Sequence, residues 1–310
     1  MPVSFLFSIF VVAIYCLACF GVGQLMMIAI QERHYKTIPN YAFFVSAFIL
    51  GQTGLAIIWT LIGLVGLLNI IAVLITTSIG VILFFVCNKV YIKLIPYLIK
   101  SEWQWLMRTE ILFRVICISI LTLLLLFFLT AALTGPLGDA EAFYMTYAKV
   151  ISASSKLTEM PGAYRNFSQI GLLAELHFAA LMILGVAEAS KLFVWPIAIS
   201  AGLMLTVICT QVRIGKKGQW VAFILLFTST GFTNHIWDGK VDVFSVALGL
   251  AAIYWIMLEE KVSKTSLRLI GFFSGFAMAA KFSYIPIIIP SFFLLLSWRL
   301  YVSDVGMFNF

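Results

Sequence analysis

The sequence predicts an all-α fold, a polytopic helical membrane protein with about nine spanning helices plus interfacial helices in its first large outer loop. Three observations carry this prediction. Hydrophobic residues make up 63% of the chain and charged residues 11%, whereas a soluble domain holds roughly 45–50% apolar and about 25% charged residues. Mean hydropathy is +1.08. Apolar runs of about 20 residues recur, the length that crosses roughly 30 Å of hydrocarbon at 1.5 Å per residue, with Lys and Arg gathered in the breaks between them.

Taken in order, the first run covers residues 3–30. It lacks a basic leader and a small-residue cleavage site, so it reads as a retained span and not a signal peptide. Runs at 41–62 and 67–87 follow. Residues 90–108 then mix Ile, Leu, Tyr and Trp with Lys, the pattern of an amphipathic helix on the cytoplasmic interface. Residues 1–109 thus form an N-terminal three-span segment with that helix. Residues 110–310 form a second membrane module, with spans expected at 110–134, 189–212, 219–234, 241–258 and 269–300, the last broken between Lys281 and Pro290.

The net charge of +7 would suit a nucleic-acid binder, but the basic residues sit in short loops and read as topogenic, so no nucleic-acid partner is expected. The basic loops hold Arg33 with Lys36, Lys89 through Arg108, Arg213 with Lys216 and Lys217, and Lys261, Lys264 and Arg268. All can share the cytoplasmic side only if an even number of spans separates each from the next. Three apolar runs lie between Arg108 and Arg213. The middle one, 170–185, is short and holds Glu175 and His177, so it is read as a non-spanning helix on the outer interface. The N-terminus then lies outside. Residues 134–188, the stretch 234–242 and the turn at Lys281 face out, and they hold nearly every residue capable of acid–base or anion chemistry.

The outer loop opens with Gly135, Pro136, Gly138 and then Asp139, placed as the N-cap of a helix running to about Ser154. Phe143, Tyr147 and Ile151 recur at i, i+4 and i+8, so one face of that helix suits lipid. Asp139 is either a cap or, if partly buried, a base; Glu141 points to another face. Asp238, Lys240 and Asp242 leave an ion pair, a metal or an acceptor site open. Lys281 at membrane depth costs about 3 kcal/mol unless it snorkels or finds an anion. Lys191 and Arg165 suit a phosphate at headgroup level. Glu175 is expected to pair with Lys191 or Lys149. His177 reads as interfacial packing, because no second ligand stands at metal spacing. The five cysteines, including the C-x-x-C of Cys16 and Cys19, read as small packing residues inside apolar helices.

Four stretches resemble the GT-C type membrane glycosyltransferases, in the branch of the protein O-mannosyltransferases and lipid A aminoarabinose transferases. They are Gly138-Asp139-Ala140-Glu141 with Tyr144 and Lys149; residues 167–191; Asp238 through Asp242; and the glycine- and alanine-rich helix that ends at Lys281. Together they cover about residues 110–300, in the family's order. The resemblance implies an inverting transfer of sugar from a polyprenyl-phosphate donor, on the extracytoplasmic face of the plasma membrane. It makes 110–310 a catalytic module, C-terminally incomplete beside the family. Asp139 would be the base with Glu141 beside it. Lys191, Lys240 and Lys281 would meet the donor phosphate, and Asp242, Asp238, Glu175, Tyr144 and Lys149 would orient the acceptor. The expected partners are the lipid-linked donor, a glycan, lipid or protein acceptor, and membrane lipids. No cofactor is implied and no metal ligand set is assigned. Two other readings stay open: a transporter or flippase of lipid-linked glycans, which calls for charges near the midplane and a repeat, and a non-catalytic scaffold, in which Asp139, Lys240 and Lys281 lie far apart.

Overall fold

The computed structural model describes residues 2–30, 40–87, 89–136, 138–160, 162, 165, 171–258 and 263–305. Among them there is no strand. The helices are α1 (Pro2–Ile30), α2 (Asn40–Leu64), α3 (Ile70–Cys87), α4 (Lys89–Met107), α5 (Ile111–Leu133), α6 (Met145–Ser154), α7 (Leu173–Ile183), α8 (Ala187–Leu192), α9 (Val194–Gln211), α10 (Lys216–Thr228), α11 (Thr230–Asp238), α12 (Asp242–Met257), α13 (Lys264–Ala280) and α14 (Ile285–Val305). A π-helical turn, Ala140–Tyr144, leads into α6, and a 3₁₀ turn, Phe282–Tyr284, joins α13 to α14.

Among the described residues, six helical stretches are long and apolar enough to cross a membrane: Phe5–Ile30, Tyr41–Leu64, Ile70–Cys87, Ile111–Thr130, Ala187–Gln211 and Phe282–Arg299. Length and composition single out these six and do not confirm the expected count of about nine. The run at 219–234 breaks at Ser229, whose ψ of 118° ends α10 and starts α11. Helix α12 has 16 residues, about 24 Å at 1.5 Å per residue, short of the roughly 30 Å of hydrocarbon. Helix α13 carries Lys264 and Arg268 in its opening turns.

Small residues let the first helices pack backbone to backbone, as membrane helices do where no water drives them together. A Cβ on Gly23 would stand 1.7 Å from the Ala47 carbonyl oxygen, and one on Gly51 1.7 Å from that of Cys19. The bundle has two chemically distinct ends. At one end, Lys217 meets Glu110 at 2.6 Å and Lys216 meets Glu102 at 2.9 Å, with Lys216 also over the Trp105 ring. The basic loops that flank α4 and precede α10 therefore meet, as parity requires. The loops with Arg33, Lys36 and Lys261 lie outside the described residues. At the opposite end the α2–α3 turn is stitched to the end of α6: Leu68 N–H donates to Ser155 O at 2.9 Å, and Leu157 N–H to Gly63 O at 3.0 Å.

Helix α7 departs from expectation. It does not lie on an outer surface; residues 173–181 are all buried, packed among α2, α6 and α8. Its 11 residues span about 16 Å, too short to cross. His177 is fully buried and saturated. Its Nε2 lies 3.0 Å from the Gln52 carbonyl, which can only accept, so Nε2 carries the proton and Nδ1 accepts from Tyr15 Oη at 2.7 Å. Trp59 Nε1 donates to the same Tyr15 oxygen at 3.1 Å, and Phe244 stacks on the imidazole. Packing was the expected role of His177, but in the interior and not at an interface.

Candidate functional site

The end of the bundle opposite the basic loops gathers its charges from several elements. Helices α12 and α13 form an antiparallel hairpin of nearly equal length, which sets the start of one beside the end of the other. Asp242 opens α12 and Lys281 closes α13, each at the helix end whose partial charge suits it. Lys281 Nζ donates to Asp242 Oδ1 at 2.5 Å. Tyr284 Oη and His235 Nε2 stand 3.5 and 3.7 Å from the same oxygen. Asp242 is 5% exposed, and its Oδ2 has no hydrogen-bond partner among the described residues. Lys281 thus finds an anion, the second of the two fates expected for it.

Beside this pair Lys240 bridges two carboxylates, with Asp139 Oδ2 and Asp238 Oδ2 each 3.6 Å away. The turn that sets Lys240 requires glycine. Gly239 N–H donates to Ile236 O and Lys240 N–H to His235 O, the paired bonds that close a helix through a left-handed residue. Gly239 has φ +76°, and a Cβ there would stand 2.8 Å from Met145 Cε and 3.2 Å from Lys191 Cγ.

Asp139 does not cap a helix: its backbone is already helical and its side chain makes no cap bond. The carboxylate, 62% exposed, turns to Lys240. The helix does run to Ser154 as expected, but its apolar stripe faces protein and not lipid, since Tyr147 and Ile151 are buried against α7. Glu141 and Lys149 lie exposed on the same segment. Tyr144 faces inward, with Lys281 Nζ 6.0 Å from its ring. Burial pushes the Tyr144 phenol up to about 12, and the carboxylates of Asp242, Glu175 and Asp139 add to the effect.

Lys191 is buried and already engaged. Its ammonium donates to Thr134 O at 3.1 Å, Thr134 Oγ1 at 2.9 Å and Gly135 O at 3.1 Å, closing the carbonyl end of α5, and lies over the Trp237 ring at 5.5 Å. The expected pairing of Glu175 with Lys191 or Lys149 is therefore corrected. Glu175 is 3% exposed, its Oε2 has no hydrogen-bond partner among the described residues, and the charge of Lys281 acts on it. Arg165 stands apart, paired with exposed Glu159 at 2.5 Å. Among the described residues, no three His, Cys, Asp or Glu side chains stand close enough to hold a metal ion.

An apolar groove of about 490 Å³ runs between α5 and the broken α10–α11 pair, lined by Ile120, Leu123, Phe127, Thr233, Asn234 and Trp237. Trp237 joins groove to charges: Phe127 meets its ring edge-on at 6.1 Å, Lys191 lies over it, and Asp238 follows it in sequence. Irregular backbone at membrane depth is tolerated where it lines a cavity, and the break at Ser229 borders this groove.

Asp139, Lys240, Asp238, Asp242, Lys281, Tyr144 and Glu175 therefore converge, and the dispersal that a scaffold would call for is not observed. Sequence reading gave no role to His235, Tyr284, Trp237 or Thr134. Of these, Tyr284 had a usable signal, three residues beyond Lys281 across a one-turn helix. No protein-family model, curated protein or solved structure matches the chain.

Proposed function

We propose that the chain is an inverting glycosyltransferase, moving a sugar from a polyprenyl-phosphate donor to a glycan, lipid or protein acceptor at the outer face of the plasma membrane. The observation that supports this reading is the junction at Trp237, where a lipid-facing apolar groove runs into a cluster of carboxylates and ammonium groups. A lipid chain fits the groove, and its phosphate would then reach the cluster. In the reaction, the acceptor O–H gives its proton to Asp139 and its oxygen bonds to the anomeric carbon. The carbon–oxygen bond to phosphate breaks with its electron pair, and Lys240 and Lys281 balance the charge of the departing lipid phosphate. Each of these lysines must exchange a carboxylate partner for phosphate.

The test is transfer of radiolabelled sugar from polyprenyl-phosphate donors by the chain in nanodiscs. Asp139→Asn is expected to lower turnover by about 10²–10⁴-fold while yield and melting temperature hold. Undiminished turnover in that variant removes Asp139 from the mechanism. A flippase of lipid-linked glycans is the second reading, favoured by the two helix breaks at Ser229 and Lys281, which transporters place around substrates. Movement of a fluorescent lipid-linked glycan across liposomes, without transfer, would select it.

A further inference from the structure

Two buried carboxylates, Asp242 and Glu175, share the ammonium of Lys281, and Asp242 also has His235 Nε2 3.7 Å from its Oδ1. Asp242 takes the Lys281 hydrogen bond at 2.5 Å. Glu175, from the far side on α7, feels the charge of Lys281 but leaves Oε2 without a partner. Its other neighbours bring no second cation. The π-helical turn and α6 present the phenols of Tyr144 and Tyr147. On α7 itself His177 is saturated by Tyr15 and the Gln52 backbone carbonyl, and α8 turns Lys191 to the carbonyls of Thr134 and Gly135. One ammonium cannot neutralise two carboxylates, and an unpaired buried anion costs several kcal/mol.

We propose that Glu175 is a proton-binding site of this buried cluster, holding a proton at rest and ionising to become the counter-ion of Lys281 whenever Asp242 is neutralised or drawn to a ligand. At rest the trio is Asp242 carboxylate, Lys281 ammonium and Glu175 carboxylic acid. When Asp242 accepts a proton or binds a cationic group, the Glu175 O–H bond breaks, its proton passes to Asp242 or to bulk solvent, and its carboxylate pairs with Lys281. Binding of a cationic group to Asp242 is thereby coupled to release of one proton, whereas protonation of Asp242 moves a proton between the two carboxyls with no net release. The inference stands independently of the transfer reading, since it asks only how three side chains share charge.

Infrared spectra of the full chain in nanodiscs at neutral pH test it. The wild type is expected to show the carbonyl stretch of a protonated carboxyl group, shifting on hydrogen–deuterium exchange and lost in Glu175→Gln. Asp242→Asn is expected to lose it too, although Glu175 is intact, because Glu175 ionises to pair with Lys281. Lys281→Met is expected to enlarge the band, since both carboxyls are then protonated. Because Gln mimics a neutral Glu, Glu175→Gln is expected to melt within a few degrees of wild type. The proposal is overturned if the band survives in Glu175→Gln, if Asp242→Asn keeps it, or if Glu175→Gln melts far lower. Should Asp242→Asn not fold, the Lys281→Met spectrum decides: an unchanged band there also overturns the proposal.

Discussion

At the scale of single residues, the Asp242–Lys281 pair concentrates the most consequence in the fewest atoms. Removing one member of a buried pair leaves the other uncompensated, and Lys281→Met is expected to destabilise the fold by about 3 kcal/mol, read as a lower melting temperature in detergent. The double variant Asp242→Asn with Lys281→Met is expected to recover part of that loss. Gly239→Ala forces a side chain into a left-handed backbone and into Met145; a cost of about 1–2 kcal/mol is expected from the backbone alone. Tyr144 supplies a pH dependence. Its folded value of about 12 lies above the ordinary 10, so the unfolded chain loses its phenolic proton first and stability falls as pH climbs through that interval. Tyr144→Phe is expected to flatten the decline between pH 10 and 12, measured by thermal melts across a pH series.

Elements explain which parts of this site were legible in the sequence. The hairpin α12–α13 was readable in principle: two runs of similar length joined by a short basic loop bring Asp242 and Lys281 to one end, and both residues were singled out. Their direct contact was not foreseen because the register of two apolar helices is set by packing, which composition does not encode. The stripe Phe143, Tyr147, Ile151 shows the same limit. Periodicity marks an apolar face but cannot say whether lipid or protein covers it. Helix α7 was misplaced because a short apolar run with Glu and His looks interfacial, whereas the surrounding helices bury it and satisfy the imidazole with Tyr15 and Gln52. Lys191 looked like a phosphate ligand and closes α5 instead. Lys191→Met is accordingly expected to fray the end of that helix, seen as faster hydrogen exchange over residues 130–135 with the rest of α5 unchanged.

For the whole molecule, the arrangement of loops was the most legible feature and the number of spans the least. Positive charge sorted the loops into two groups, and the contacts Lys217–Glu110 and Lys240–Asp139 join members of the same group at opposite ends. Hydropathy could not see the interruption at Ser229 or the shortness of α12, which keep these stretches out of the six helices that length and composition single out among the described residues. With native cysteines replaced, single cysteines at Glu141 and Lys156 are expected to react with an impermeant maleimide from one side of a sealed vesicle, and one at Lys217 from the other. Labelling of all three from one side would remove the sidedness on which the functional reading rests.

The buried placement of α7 carries one more consequence. Gln52, level with His177, lies about 18 Å of helix below Leu64, so Glu175, two residues from His177 on α7, is held well below that end of the bundle. A proton moving between Glu175 and that end then crosses part of any transmembrane voltage. A full crossing is worth about 2.3 kcal/mol per charge at 100 mV. Protonation of Glu175 is therefore expected to follow the polarisation of the membrane, a sensitivity that measurements in detergent erase and that sealed, energised vesicles restore.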